Sequence, residues 1–193
     1  MTSGLPWRLA AVPVVGLVLG ALVGGILGRL VMYVLVRISP EAVGRVSDDG
    51  FEMGRFTVSG SFNLLLVGGF LGLMGGVIYA LVRLLLLGPA WFRLTCVAAG
   101  AGVPVGNQIV HVDGVDFTLL QPAWLSAACF VTIPALYAVA LHLVVERRLL
   151  RSWPVPPTGP LPLVAALWIA RAGALTIGLL SLVDLLDKVA ALG

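Results

Sequence analysis

Residues 9–36 read LAAVPVVGLVLGALVGGILGRLVMYVLV, an apolar run interrupted by one charge, Arg29. A helix needs about 20 predominantly apolar residues to cross the roughly 30 Å hydrocarbon core of a bilayer, and this run exceeds that. A soluble amphipathic helix would show a polar face, and this one has none. Glycine returns every fourth residue, at Gly16, Gly20, Gly24 and Gly28. Positions four apart share a helix face, so the glycines form a ribbon along which a second backbone can approach closely. The run therefore predicts a membrane-spanning helix with one tightly packed side.

The rest of the chain agrees with that class. Of its 193 residues, 60% are hydrophobic and 11% charged, whereas soluble domains carry about 25% charged residues. The expected fold is all-α, a single polytopic transmembrane helical bundle over residues 1–193. Five spans are preferred, at about 9–36, 62–87, 94–110, 123–145 and 163–183. The 94–110 segment is short, built from small side chains, and contains Pro104, Asn107 and Gln108. The alternative is therefore four spans plus a re-entrant segment broken at Pro104. Arg8 followed by an apolar run resembles a secretory signal, but a signal's apolar region is about 7–15 residues and this run is far longer.

The second span repeats the device of the first. Gly68, Gly72 and Gly76 are four apart, with Gly69 and Gly75 beside them, and the two spans are expected to pack on each other. They also end in similar words, Tyr33-Val-Leu-Val-Arg37 and Tyr79-Ala-Leu-Val-Arg83, read as tyrosine and arginine anchors at the membrane interfaces. Between them, the polar connection 38–61 opens on Ser39-Pro40-Glu41, a helix-start pattern. It continues through Asp48-Asp49-Gly50, a turn signal, into a short extended or strand-like piece at 51–58. Residues 111–121 read as a loop with acids and no Lys or Arg. Residues 152–162 contain five prolines and read as a stiff, extended linker.

With five spans and the N-terminus inside, the inner regions hold six arginines against four cations outside, which favours that orientation. A four-span model with the N-terminus outside gives the same count. The net charge of +3, with Lys188 the only lysine, carries no nucleic-acid tract and no polybasic tail.

Residues that could carry chemistry are few. Arg171 falls near mid-depth of the last span, where a charge costs about 2.5–3.5 kcal/mol on insertion scales and usually faces a partner or a polar path. His111, Asp113, Asp116, Asp184 and Asp187 collect at the outer end, with Arg29, Arg37, Asn107 and Gln108 near the same level. Their spacing matches no strong metal motif, and an ion-paired cap joining Asp184 or Asp187 to Arg29 or Arg37 is the preferred reading over a divalent cation. His142 and Glu146, one turn apart, read as an interface contact rather than an acid–base couple. Cys96 and Cys129 read as small buried hydrophobes. Asp113-Gly114 shares its first two letters with the CDP-alcohol phosphotransferase motif, and Val115-Asp116 then breaks the match. There is no HExxH, GxSxG, P-loop or CxxC, so the sequence names no catalytic residue, metal or cofactor.

The resulting expectation is a multi-pass protein of the plasma membrane, N-terminus cytoplasmic. It would work non-catalytically as a packing or accessory subunit of a homo-oligomer or larger membrane complex. Its partners would be the lipid bilayer and other membrane subunits, not nucleic acid. The alternatives are a channel or transporter for a small solute or ion, and a membrane enzyme using the outer His/Asp cluster.

Overall fold

The computed structural model describes residues 5–47, 50, 52–55, 57–150 and 161–192. The expected Asp48-Asp49 turn, Phe51 and Phe56 of the extended piece, Arg151 and the linker as far as Pro160 lie outside the described residues.

Among the described residues six α-helical elements follow in order: α1 (Trp7–Ile38), α2 (Val58–Leu85), α3 (Ala90–Ile109), α4 (Val115–Leu119), α5 (Ala123–Leu150) and α6 (Leu161–Leu192). Four of them, α1, α2, α5 and α6, are long and apolar enough to cross a membrane. The chain is thus an all-helical, multi-pass membrane protein; among the described residues the only β feature is an isolated bridge between Val46 and Glu52. At 20 residues α3 is about 30 Å long and runs unbroken through Pro104. Arg93, Asn107 and Gln108 leave it less apolar than the other four.

The helices outrun the sequence estimates at several ends. α2 begins at Val58, not 62, because Thr57 caps it, its Oγ1 accepting from the Gly60 N–H at 3.1 Å and satisfying one of the orphan amides of the first turn. α5 continues through a π-helical stretch, Val145–Leu150, and α6 continues to Leu192, where the sequence reading stopped at 183. Residues 111–121, read as a loop, contain α4, whose Phe117 is buried. The Ser39-Pro40-Glu41 start yields only one 3₁₀ turn, Pro40–Ala42, and Ser39 does not cap it. Its Oγ instead donates to the Gln121 carbonyl at 3.0 Å and accepts from the Gln121 N–H at 2.9 Å. That exchange ties the connection after α1 to the one before α5.

α1 and α2 cross antiparallel on their glycines. A Cβ on Gly16 would be driven into the Gly72 carbonyl, one on Gly72 into the Gly16 carbonyl, and Gly20 and Gly68 stand in the same reciprocal relation. The hydrogen each glycine carries in that direction therefore points at a carbonyl oxygen, the arrangement of Cα–H···O contacts at helix crossings. Gly76 meets the backbone of Pro13 and Val12 in the same way.

The stripe on α1 does not keep to every fourth residue. Gly20–Leu27 is π-helical, with i→i+5 bonding that widens the turn. The next position pressed on backbone after Gly20 is accordingly Gly25, whose Cβ would meet the Leu65 Cα at 2.9 Å. Gly24 is looser, 3.3 Å from the Gly68 Cα, and Gly28 meets only the end of the Leu64 side chain at 3.8 Å.

α5 closes over this pair and α3 packs on its far side. Tyr137 of α5 donates its hydroxyl to the Gly72 carbonyl at 2.5 Å, and its ring occupies the space a side chain at Gly75 would need. α3 lies antiparallel to α5 with Gly102 and Gly106 against Val131. At the end where α1 begins (the near end), Val12, Tyr79, Val97, Ala138, Leu141, Val145 and Leu150 form the core. At the opposite, loop end, Leu35, Val36, Ala42, Met53 and Leu120 form a second core, and Val110, Phe117, Ala127 and Leu185 a third.

Overpacking usually costs about 1–3 kcal/mol because side chains can shift; at Gly72 the obstacle is main chain on both sides. Gly72→Leu should therefore lower stability by at least ~3 kcal/mol. Gly100→Leu, at a position with nothing within 4 Å, should leave it within about 0.5 kcal/mol of the parent. Denaturation of the detergent-solubilised protein measures both.

Candidate functional site

The most developed polar site lies inside the near end, between α2 and α5. α2 supplies Tyr79 and Arg83, one turn apart; α5 supplies His142 and Glu146, also one turn apart. Residues four apart share a helix face, so each helix turns its pair inward, and the facing pairs interlock. Arg83 donates from Nε to Glu146 Oε1 at 3.0 Å and from Nη2 to Oε2 at 2.8 Å. This is the two-pronged arginine–carboxylate geometry. The two side chains are only 8% and 11% exposed.

Tyr79, itself buried, donates its hydroxyl to Glu146 Oε1 at 2.9 Å, and the same hydroxyl lies 2.8 Å from His142 Nδ1. A phenol has one proton to give. With that proton on Glu146, the Tyr79 oxygen accepts from His142 Nδ1–H, which assigns the imidazole proton to Nδ1. The hydrogen bonds run in one direction, His142 to Tyr79 to Glu146, and Arg83 balances the carboxylate at the end.

Burying an ion pair costs desolvation that its own attraction recovers only when the geometry is good and the spare lone pairs are used. Here both carboxylate oxygens have donors, so the network holds α2 and α5 in one register. His142 and Glu146, read as an interface contact, are joined through the Tyr79 hydroxyl. The signal that could have found it is the pair of matching i, i+4 polar couples at the ends of two otherwise apolar helices.

The similar word at the end of α1 has another outcome. Arg37 donates to the Tyr33 hydroxyl at 2.6 Å and lies over its ring, 4.8 Å from the centroid, at an exposed position.

The residues singled out from sequence are placed as follows. Arg171 donates from Nε to the Leu85 carbonyl at 3.0 Å, with its Nη2 3.5 Å from that of Leu84. Its guanidinium also stacks on Trp168 at 4.8 Å. The acceptors are carbonyls of the last turn of α2, which have no partner within their own helix. Arg171 is thus level with the near end of α2. Arg29 reaches the Arg55 carbonyl at 2.7 Å.

At the loop end, His111, Asp113 and Asp187 are exposed, and Asp116 is buried at the start of α4. Asp184 pairs with Lys188 at 3.2 Å, and Lys188 also donates to the Asn107 carbonyl at 2.8 Å and to its Oδ1 at 3.0 Å. The expected cap was Asp184 or Asp187 with Arg29 or Arg37; Asp184 instead belongs to this α3–α6 cluster. Sequence reasoning passed over Lys188 as the anchor because its partner is chiefly a main-chain carbonyl. Among the described residues no three His, Cys, Asp or Glu side chains converge to hold a metal ion. Cys96 and Cys129 are free thiols.

Protein-family models, curated proteins and solved structures give no match to this chain.

Removing one partner of a buried, hydrogen-bonded ion pair costs about 3–5 kcal/mol, whereas replacing both by apolar groups is often close to neutral. Arg83→Met and Glu146→Leu should each destabilise by that amount. The double variant should recover most of the loss, giving a coupling energy of several kcal/mol in a double-mutant cycle on the solubilised protein.

Proposed function

We propose that this chain is a non-catalytic accessory or packing subunit of a membrane assembly, and that α6 is the helix it offers to a neighbouring subunit. In this reading α3 is a fifth span and the N-terminus is cytoplasmic. Arg8, Arg83, Arg93, Arg147 and Arg148 gather at the near end, which the positive-inside rule assigns to the cytoplasm. The plasma membrane is the compartment that fits.

The observation that carries the proposal is the way α6 attaches. None of its most apolar window is buried, against 22% for each of α1, α2 and α5. Its less exposed residues, Val164, Leu167, Arg171, Gly178, Ser181, Leu185, Lys188, Val189 and Leu192, fall along one narrow seam. Arg171 and Lys188 hold the two ends, yet nothing lies within 4 Å of where a Cβ of Gly178 would sit between them. Helices in lipid gain no hydrophobic energy by associating and depend on close packing of small side chains. α6 makes little such packing within the chain and leaves several of its small residues outside. Ala166, Ala170 and Gly173 are all exposed, and nothing lies within 4 Å of a Gly173 Cβ.

A second reading, an ion or proton pathway, is favoured by the one-way chain from His142 through Tyr79 to Glu146. Its supporting geometry is confined to the near end.

Light scattering of the full chain in mild detergent and in nanodiscs should find a defined oligomer or a fixed-stoichiometry complex. Ala166→Cys and Ala170→Cys, in a Cys96→Ala/Cys129→Ala background, should cross-link between subunits. A monodisperse monomer in both media, with no cross-link, overturns the reading. Proteoliposomes carrying an entrapped pH dye should leak protons no faster than empty vesicles; flux abolished by Tyr79→Phe would establish the second reading in its place.

A further inference from the structure

We propose that the near end of the bundle carries a binding site for the phosphate of an anionic phospholipid headgroup, formed by Arg8, Arg93, Arg147 and Arg148. No run of the sequence is polybasic; the fold makes the patch by assembling three separate segments. The first turns of α1, which carry Arg8, touch the π-helical end of α5 that carries Arg147 and Arg148. Leu9 and Leu149 pack on the same core. Arg93 stands in the first turn of α3, one turn before Val97, which packs in that core beside Leu141 and Val145.

Charge is distributed unequally between the two ends. Of the described acids, Glu41, Glu52, Asp113, Asp116, Asp184 and Asp187 belong to the loop end, and Glu146 alone lies at the near end. Both Glu146 oxygens are taken up by Arg83 and Tyr79. Arg147 and Arg148 are exposed, and Arg8 and Arg93 half-buried. Guanidinium groups present planar donor pairs that match phosphate oxygens. No side chain caps α3, and the partial positive charge of its first amides adds to the same field.

The source of the phosphate is argued from position. Trp7 and Trp91, 61% and 68% exposed, flank the patch next to Arg8 and Arg93. Tryptophan at the ends of apolar helices sits at headgroup level, so the arginines lie where a lipid phosphate would be found. Basic pockets between helices on the cytoplasmic side are a known mode of headgroup recognition. The inference stands whether or not α6 binds another subunit.

The test titrates short-chain phosphatidylglycerol, phosphatidylcholine and inorganic phosphate into the purified full chain, reading thermal stabilisation and lipid retained in native mass spectra. Phosphatidylglycerol should bind at least tenfold more tightly than phosphatidylcholine, and 0.5 M salt should weaken it, as screening requires. Arg93→Gln/Arg147→Gln/Arg148→Gln should lose that preference. Arg147→Gln/Arg148→Gln, which alters exposed side chains only, should reduce it severalfold with the fold intact. Arg45→Gln, at the loop end, should change nothing. Equal binding of the two lipids, or an unaltered preference in the double and triple variants, overturns the proposal. Inorganic phosphate that matches phosphatidylglycerol at the same concentration overturns the lipid as its source.

Discussion

The closest constraint in this protein is main chain against main chain, where Gly16 and Gly20 of α1 meet Gly68 and Gly72 of α2. Lipid gives helices no hydrophobic reason to associate, so the stability of a bundle rests on how near backbones can come. That crossing sets the depth of the groove into which Tyr137 reaches for the Gly72 carbonyl. It also sets the rotation of α2 that turns Tyr79 and Arg83 toward α5. The buried network at the near end is therefore a consequence of the glycine crossing some distance along the same helix.

Two modes of attachment divide the bundle. α1, α2, α3 and α5 hold one another through small residues and a satisfied polar network. α6 is held by Leu185 in the loop-end core and by cations donating to backbone carbonyls, at Leu85 near one end and Asn107 near the other. Such bonds are strong in a low-dielectric setting, but they act at points, and at Gly178 between them the helix has open space beside it. Arg171 and Lys188 are separated by 17 residues, about 25 Å of helix, with the Gly178 gap between.

The membrane class and the glycine faces of α1 and α2 were legible in sequence because apolar length and a four-residue spacing are local properties. The shift from Gly24 to Gly25 was not, because a π-helical stretch changes the repeat without changing the composition. Tyr33–Arg37 and Tyr79–Arg83 show a further limit. Near-identical words give an exposed cation–π pair in one place and half of a buried network in the other, and the difference lies wholly in what the neighbouring helix supplies. The arginines of the near end were countable from sequence as one side of the membrane, but the contact between the first turns of α1 and the end of α5 that carries Arg147 arises only through packing. Ser39 was read as a cap from local pattern, while its real partner, Gln121, lies 82 residues away.

The anchoring of Arg171 to the Leu85 carbonyl has a consequence for how such a protein can vary. A main-chain acceptor has no side-chain identity: almost any residue at position 85 offers the same oxygen, and no replacement there needs a compensating change at 171. The contact constrains one position and leaves its partner free. A search for paired substitutions would miss the fastening of the last helix, although the geometry of that fastening depends on a single arginine.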